Sequence, residues 1–413
     1  MRLRAYYQGK ENGLNKKIIG KTKKRIGLAI YANPDYYPPI INGIKLLSEE
    51  FDIILICRNQ DESNLDYPDN VKVRRLGSFK TAREKEIQPG ICKFWEYLIF
   101  TLWVAADFTF YRCRIIYVYD MHSLLAVFLA RCLSRKTTIV YHNLDLTELG
   151  DTKGVNRLLK RTELYLSRRV DKVVFPDINR AKFFQNEAGL PELPLIVMNN
   201  PLFMSQLPDN KLRENLSARG IPSDTRVIVY QGMIGEDHGL LTIVKSMVSW
   251  PQNSVFALSG LVHRPEFMFK LKEQVDKLNL SQRVIYLPFL PYHKLFSYTV
   301  GAYLGVALFE AKDVSQFFVT GATNKIYEYL AMGVPVITNE APHFREILDP
   351  SFTYFVRPDS VNGIASAINS AFGDVESYRR KSLAAREAHL KKFNYEAQFK
   401  PILEYLHKVA YGI

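Results

Sequence analysis

Short apolar runs recur along this chain, separated by longer stretches with helical periodicity, and that alternation restricts the folds open to it. The runs Arg25–Ile30, Phe51–Cys57, Val71–Leu76, Ile115–Tyr119 and Lys136–Tyr141 hold five to seven residues each. Helical patterns near Ile41–Glu49, Ser123–Leu133 and Lys153–Arg168 lie between and after them. Strands this apolar need cover on both faces, and a parallel sheet with helices on either side provides it. The same grammar restarts after Leu193–Pro201, where Arg226–Gln231, Ser254–Ser259, Val284–Leu287, Tyr303–Leu308 and Val334–Thr338 arrive in turn. The chain is therefore expected to be α/β, with one doubly wound domain at 25–201 and a second at 202–374, and with ligands beyond the carboxyl ends of the strands. The segment 375–413 is helical in composition almost throughout, and its apolar positions, among them Leu383, Leu390, Phe399 and Leu406, need a partner surface.

At 413 residues, with 47% hydrophobic and 23% charged residues, the chain has the length of two or three domains and the composition of a globular protein. It shows no repeat of fixed period and no long low-complexity tract, which excludes solenoids, collagen-like chains and wholly disordered proteins. Much of the net charge of +13 sits at the amino terminus, where Met1–Arg25 carries nine Lys and Arg against Glu11 alone. The rest is close to neutral, which argues against a nucleic-acid partner. The tail at 1–24 is expected either to stay solvated or to lie on an anionic membrane surface, at about 1 kcal/mol per basic residue. No apolar core follows its charges, so it does not read as a signal peptide. Cys57, Cys92, Cys113 and Cys132 lack metal-ligand spacing and read as reduced thiols of a cytoplasmic protein. The bulkiest apolar segment, Phe94–Cys113, is interrupted by Glu96 and Asp107, which leaves ten uncharged residues where a bilayer span needs about 20. It reads as a buried core helix or as a helix lying in the membrane interface.

One segment concentrates the chemistry: Ala322-Thr-Asn-Lys325-Ile-Tyr-Glu328-Tyr-Leu-Ala-Met-Gly333-Val-Pro335-Val-Ile-Thr338. Thr323 or Asn324 can cap a helix that Gly333 ends, and Pro335 opens the next strand. A helix amino terminus beside Lys325 suits a diphosphate, because free N–H groups, the positive end of the helix dipole and an ammonium converge there. Glu328 lies one turn on, on the same face, and can accept hydrogen bonds from a ribose diol. The competing reading of the same spacing is an ordinary surface pair at i and i+3.

The string Asn324-Lys-Ile-Tyr-Glu328-Tyr-Leu-Ala-Met-Gly333-Val-Pro335 resembles the signature of nucleotide-sugar-dependent glycosyltransferases of the GT-B fold, in particular family 4 (group 1). Val197–Pro201, Tyr230-Gln-Gly232, Leu258-Ser-Gly260 and Arg283–Leu290 fall in the order such chains show, and the resemblance runs from residue 25 to about 370. It implies two Rossmann-like domains facing across a cleft, with the carboxyl-terminal helical segment packing back on the first. It also implies roles. Lys325 would neutralise the donor diphosphate, Glu328 would hold the ribose, Gly232 would let the backbone approach the phosphates, and Leu290 with Phe289 would lie against the base. Asn324, His238 and Arg264 complete the donor side. In the first domain His142, ending Val140-Tyr-His142, is the candidate to contact the sugar or to serve as base toward the acceptor. On the acceptor side, His122 with Asp120 ends the preceding strand, and Tyr36 and Tyr37 lie in the loop after the first strand.

The donor is then a UDP-sugar or a GDP-sugar, with no separate cofactor. No Asp-x-Asp pair stands out at a strand end, so no metal is expected. Two departures stand out. The position eight residues before Glu328, commonly Glu in this family, is Thr320, and Glu310 is the nearest upstream acid of that type. The first loop of the second domain, Gly235-Glu-Asp-His238-Gly239, offers His238 where a basic pair is usual, with His263 and Arg264 to make up the charge. Retention or inversion, and the sugar, stay open. The expectation is a hexosyltransferase-like enzyme that builds a glycan or lipid-linked product, as in polysaccharide biosynthesis, at the inner face of the cell membrane. An inactive GT-B binding protein and a nucleotide-sugar epimerase of the same fold are the alternatives.

Overall fold

A computed structural model describes residues 23–59, 65–78, 80, 84, 87–133, 137–262 and 264–412, so the basic tail up to residue 22, and His263, lie outside the described residues. The first sheet has seven strands, β1 (Lys24–Ala29), β2 (Phe51–Arg58), β3 (Val71–Leu76), β4 (Ile115–Tyr119), β5 (Thr138–His142), β6 (Lys172–Phe175) and β7 (Leu195–Ile196), in the order β3-β2-β1-β4-β5-β6-β7. The second has six, β8 (Arg226–Gln231), β9 (Ser254–Ser259), β10 (Val284–Leu287), β11 (Leu304–Ala307), β12 (Val336–Asn339) and β13 (Thr353–Val356), in the order β10-β9-β8-β11-β12-β13. Every pairing is parallel, and a parallel sheet needs the cover on both faces that the helices give it. β6, β7 and β13 do not register as apolar runs in the sequence; β7 and β13 are edge strands, while β6 lies between β5 and β7.

Helix α1 (Pro38–Glu50) crosses from β1 to β2 and packs on one face of the first sheet. Helices α2 (Gly90–Phe110), α3 (Met121–Leu133), α4 (Gly154–Ser167) and α5 (Ile178–Ala188) cover the other. In the second domain α6 (Lys211–Ala218), α7 (Leu240–Ser246), α8 (Pro265–Lys277), α9 (Tyr292–Thr299), α10 (Val314–Phe317), α11 (Asn324–Ala331), α12 (Pro342–Arg345) and α13 (Val361–Gly373) follow; all but α10 pack around the sheet, and Val314 of α10 packs on the first-domain core. The core demands tight fits: a Cβ on Gly305 in β11 would stand 2.3 Å from the Tyr329 ring of α11.

The segment from 375 onward does not return to the first domain as one piece. Helix α14 (Val375–Lys391) stays on the second domain, where the Ser382 hydroxyl donates to the Gly333 carbonyl at 2.7 Å and Arg386 donates to the carbonyls of Ala331 and Met204. The crossing comes at Asn394, which caps α15 (Tyr395–Tyr411) by accepting the Ala397 N–H, while the Tyr395 N–H donates to Pro201. Only α15 packs back, burying Tyr395, Phe399, Ile402 and Leu406 against α1 and the first sheet.

Helix α2 is neither wholly core nor wholly surface. Phe100, Val104 and Phe108 are buried, and the two acids that interrupt its sequence face the protein: Glu96 meets Arg58 and Lys80, and Asp107 meets Arg74 at 3.2 Å.

Candidate functional site

In the second sheet the strand order reverses between β8 and β11, so the loops after them part and leave a crevice at their carboxyl ends. Helix α11 begins in that crevice. Its cap residue, Thr323, makes no side-chain bond to the helix, and the Asn324 Oδ1 is buried without a partner among the described residues. Lys325 runs back over the loop after β8, with its Nζ 3.2 Å from the Tyr230 hydroxyl and over the rings of Tyr230 and Phe309. Gly232 there has φ +128, a conformation that side chains rarely adopt, and a Cβ would come within 3.2 Å of the Lys325 Cε. Bare backbone therefore lies directly against the ammonium.

Glu328 is held by residues far away in sequence. Its Oε2 accepts from the Gln231 side chain at 2.6 Å, and the Gln231 carbonyl oxygen accepts from the Thr299 hydroxyl at 2.8 Å. Lys325 and Glu328 are 8% and 4% exposed, so they are not the surface pair that their spacing also allows. Burial acts on both. It lowers the Lys325 pKa to about 7, against an opposing pull from Glu328, and raises that of Glu328 to about 7, against the Gln231 hydrogen bond and the Lys325 charge. An anionic group entering here would meet an ammonium that regains its proton at little cost.

His238 lies in the turn Glu236–His238 beside the Tyr230 and Phe309 rings, with its pKa pushed down to about 3 by burial first and by Lys325 second. Burial thus favours its neutral form, and its Nδ1 is buried without a partner among the described residues. Asp237 in the same turn is tied to Lys312. Arg264 is exposed at the start of α8, close enough to Lys312 to act on its titration. Leu290 is half-buried after β10 beside the exposed Phe289. Thr320 is fully buried and its hydroxyl has no partner among the described residues.

The first domain contributes the opposite wall. Asn42 of α1 donates to the Asn200 carbonyl at 3.1 Å and reaches Tyr292 of α9, a residue that senses the Glu328 charge. Arg180 of α5 donates to the carbonyls of Leu144, Ser315 and Phe318, and Asp177 accepts the Gly321 N–H, so the stretch leading into α11 is bolted to the first domain. Asn199 Oδ1 and both polar side-chain atoms of Asn200, at this junction, are buried and unpartnered among the described residues. Buried polar groups are normally satisfied, so a group of orphans along one crevice is what a polar ligand would complete.

His142 is a core residue. It is 0% exposed, its Nδ1 pairs with the Tyr117 hydroxyl at 2.9 Å, it packs on the Tyr117 and Tyr119 rings, and burial pushes its pKa down to about 3. Its Nε2 is buried without a partner among the described residues, so it too is a nitrogen that an incoming polar group could complete, while burial favours the neutral ring. Asp120, at φ +63, accepts the N–H groups of Ser123 and Tyr31, so it holds a helix start and a loop. His122 is half-buried between Tyr31 and Tyr97. Tyr36 and Tyr37 are exposed on a loop locked from below by Arg75, which donates to Asn33 and to the buried Asp35, both at 2.9 Å. Sequence reasoning missed Gln231, Thr299 and Tyr292, together with a first-domain cluster of Tyr31 after β1, Arg58 at the end of β2 and Glu96 of α2. Gln231 alone carried a signal, as an amide ending an apolar strand beside Gly232. A groove of about 600 Å³ beside β13, lined in part by Arg345, Arg357 and Lys381, contains none of these residues.

Residues 213–388 match the family model described as "Glycosyl transferases group 1". No curated protein matches the chain by sequence. Among solved structures, the chain is similar to a sucrose-phosphate synthase from Thermosynechococcus elongatus (17% identity, TM-score 0.70, covering 94% of this chain and 99% of that one). It is similar also to a glycosyltransferase from Rickettsia africae (14%, TM-score 0.73, 95% and 100%) and to Anabaena HepE in complex with UDP (16%, TM-score 0.68, 93% and 99%). At these identities the likeness concerns the fold, which is GT-B over nearly the whole chain.

Proposed function

We propose that this chain, GT-B in fold and matched over 213–388 by the group 1 glycosyl transferases, moves a sugar from a nucleoside-diphosphate sugar to an acceptor. The observation that carries this reading is the buried pair Lys325 and Glu328 at the start of α11, facing the bare backbone of Gly232. As the anomeric bond breaks, negative charge gathers on the diphosphate oxygen. Lys325 and the free N–H groups of α11 are preorganised to stabilise it in a site shielded from water. Glu328, oriented by Gln231, keeps one carboxylate oxygen for the ribose diol. His142 is given no part. Neighbours crystallised with UDP and with UDP-glucose favour UDP over GDP as the nucleotide. A hexosyl group as cargo, a glycan or lipid-linked acceptor and a place in polysaccharide synthesis extend the same reading.

Calorimetric titration with UDP and GDP, on wild type and on Lys325→Ala and Glu328→Ala, tests it. One nucleotide is expected to bind and to lose about tenfold or more in affinity in each variant, the scale of one charge-assisted contact. Absence of binding at millimolar nucleotide would leave the inactive scaffold as the reading to pursue.

A further inference from the structure

We infer that the exposed faces of α2 and α4 form one docking surface for an anionic lipid bilayer. Along α2 the exposed large residues are Ile91, Phe94, Trp95, Ile99, Leu102 and Trp103, followed by Phe110 at 78% exposure. Their spacing by three and four makes a continuous stripe over most of a helix about 30 Å long, with the core residues on the reverse side. Soluble surfaces rarely carry an unbroken apolar strip of that extent without a partner. Helix α4 lies in the same layer, across α3, and exposes Val155, Leu158 and Tyr165 beside Arg157 and Arg161.

The charges decide which partner fits. The three carboxylates of the two helices all turn inward: Glu96 to Arg58 and Lys80, Asp107 to Arg74, and Glu163 to Lys160 at 2.9 Å. Neither helix exposes a carboxylate, while α4 exposes the guanidinium groups of Arg157 and Arg161. A two-fold pairing of α2 stripes would bury the hydrocarbon but leave the α4 arginines without a counter-charge. Lipid phosphates satisfy the arginines, acyl chains take the apolar stripe, and Trp and Tyr favour the headgroup boundary between them. No helix among the described residues is long and apolar enough to cross a membrane, so α2 lies in the interface plane.

The stripe also leads to the site. Helix α2 starts at the end of the sheet where the strands finish, and its Tyr97 packs edge-on to Tyr31 at 5.2 Å and donates to the His122 carbonyl at 2.8 Å. A bilayer on this face would deliver a lipid-linked acceptor to the first-domain wall of the cleft, a step that rests on the transferase reading, whereas the docking itself does not.

Two of the chain's three tryptophans, Trp95 and Trp103, are on the stripe, and the third, Trp250, is buried at 3% exposure, so intrinsic fluorescence reports this face. Full-length protein is titrated with vesicles of phosphatidylcholine alone and of phosphatidylcholine with phosphatidylglycerol, and binding is read by emission shift and by cosedimentation. A blue shift and pelleting on the anionic vesicles are expected, with a fall of about tenfold or more in partitioning for Phe94→Ser combined with Leu102→Ser, and separately for Arg157→Glu combined with Arg161→Glu. All four positions are exposed, and unchanged UDP and GDP binding verifies the fold of each variant. Unchanged emission, or variants that pellet like wild type through the basic tail, would overturn the assignment. So would a dimer, seen by sedimentation equilibrium, that the same substitutions dissolve. Vesicle binding without nucleotide binding would sink the transferase reading and leave this surface standing; the reverse result would do the opposite.

Discussion

Nucleotide binding by this protein should consume a proton. Lys325 has its pKa lowered by burial from 10.5 to about 7, so at pH 8 roughly nine-tenths of the side chains are neutral before binding. A diphosphate placed against Nζ favours the ammonium and returns the pKa toward its ordinary value, so each nucleotide bound at pH 8 takes up about 0.9 proton. From pH 7 to pH 9 that term alone weakens binding about 50-fold, or roughly 2.3 kcal/mol. Glu328 works in the other direction. With its pKa raised to about 7 it becomes fully a carboxylate across the same range, which favours the ribose diol by about twofold and leaves a net loss of about 25-fold. Calorimetry at pH 7, 8 and 9, in two buffers of different ionisation enthalpy, measures the affinity and the proton count independently. Lys325→Arg keeps its charge at every pH and should bind without proton uptake. Wild-type protein that binds UDP or GDP with a flat affinity to pH 9 and no uptake at pH 8 would show that Lys325 does not hold the phosphates.

Three further outcomes follow from the packing. Replacing Arg75 by Ala strips the buried Asp35 carboxylate of its guanidinium while Tyr67 and the Leu65 N–H remain, and should cost about 3 kcal/mol in urea unfolding; a loss under about 1 kcal/mol would mean that the Tyr36–Tyr37 loop is held otherwise. His142→Phe should destabilise by about 1–3 kcal/mol, because the Tyr117 hydroxyl loses its partner, and leave turnover within a few fold. A hundredfold fall in kcat with an intact fold would restore His142 as a base. Ending the chain before Tyr395 uncovers the surface under Phe399, Ile402 and Leu406, about 1.5–3 kcal/mol for each side chain, which a domain of ordinary stability cannot spare. The truncated protein should be insoluble or rapidly proteolysed within the first domain, and a soluble, protease-resistant product would refute the role given to α15.

Much of the architecture could be read along the chain. Ten of the thirteen strands are apolar runs in the sequence, and Thr323, Gly333 and Pro335 mark the ends of α11 and the approach to β12 by local backbone chemistry alone. Of the three missed strands, β7 and β13 are edge elements and β6 lies between β5 and β7, and only the pairing of neighbours completes them. The single helical block expected beyond residue 375 is two helices, because the bonds that keep α14 on the second domain come from Ala331, Gly333 and Met204, which sequence periodicity does not register.

The sequence by itself determined that two parallel sheets would form and that a lysine and a glutamate would share one face at the start of a helix. Those are properties of windows of ten or twenty residues, where apolar spacing and capping act. Whether that pair would be a surface ion pair or a buried site was decided by Gln231, which lies 97 residues from Glu328, and by Tyr230, 95 residues from Lys325. The same holds for His142, whose burial against Tyr117 and Tyr119 no local pattern records, and for α2, whose two acids look like interruptions until Arg58, Lys80 and Arg74 draw them inward. Burial and charge pairing depend on which distant groups the fold brings within a few ångströms, and no local periodicity records that distance.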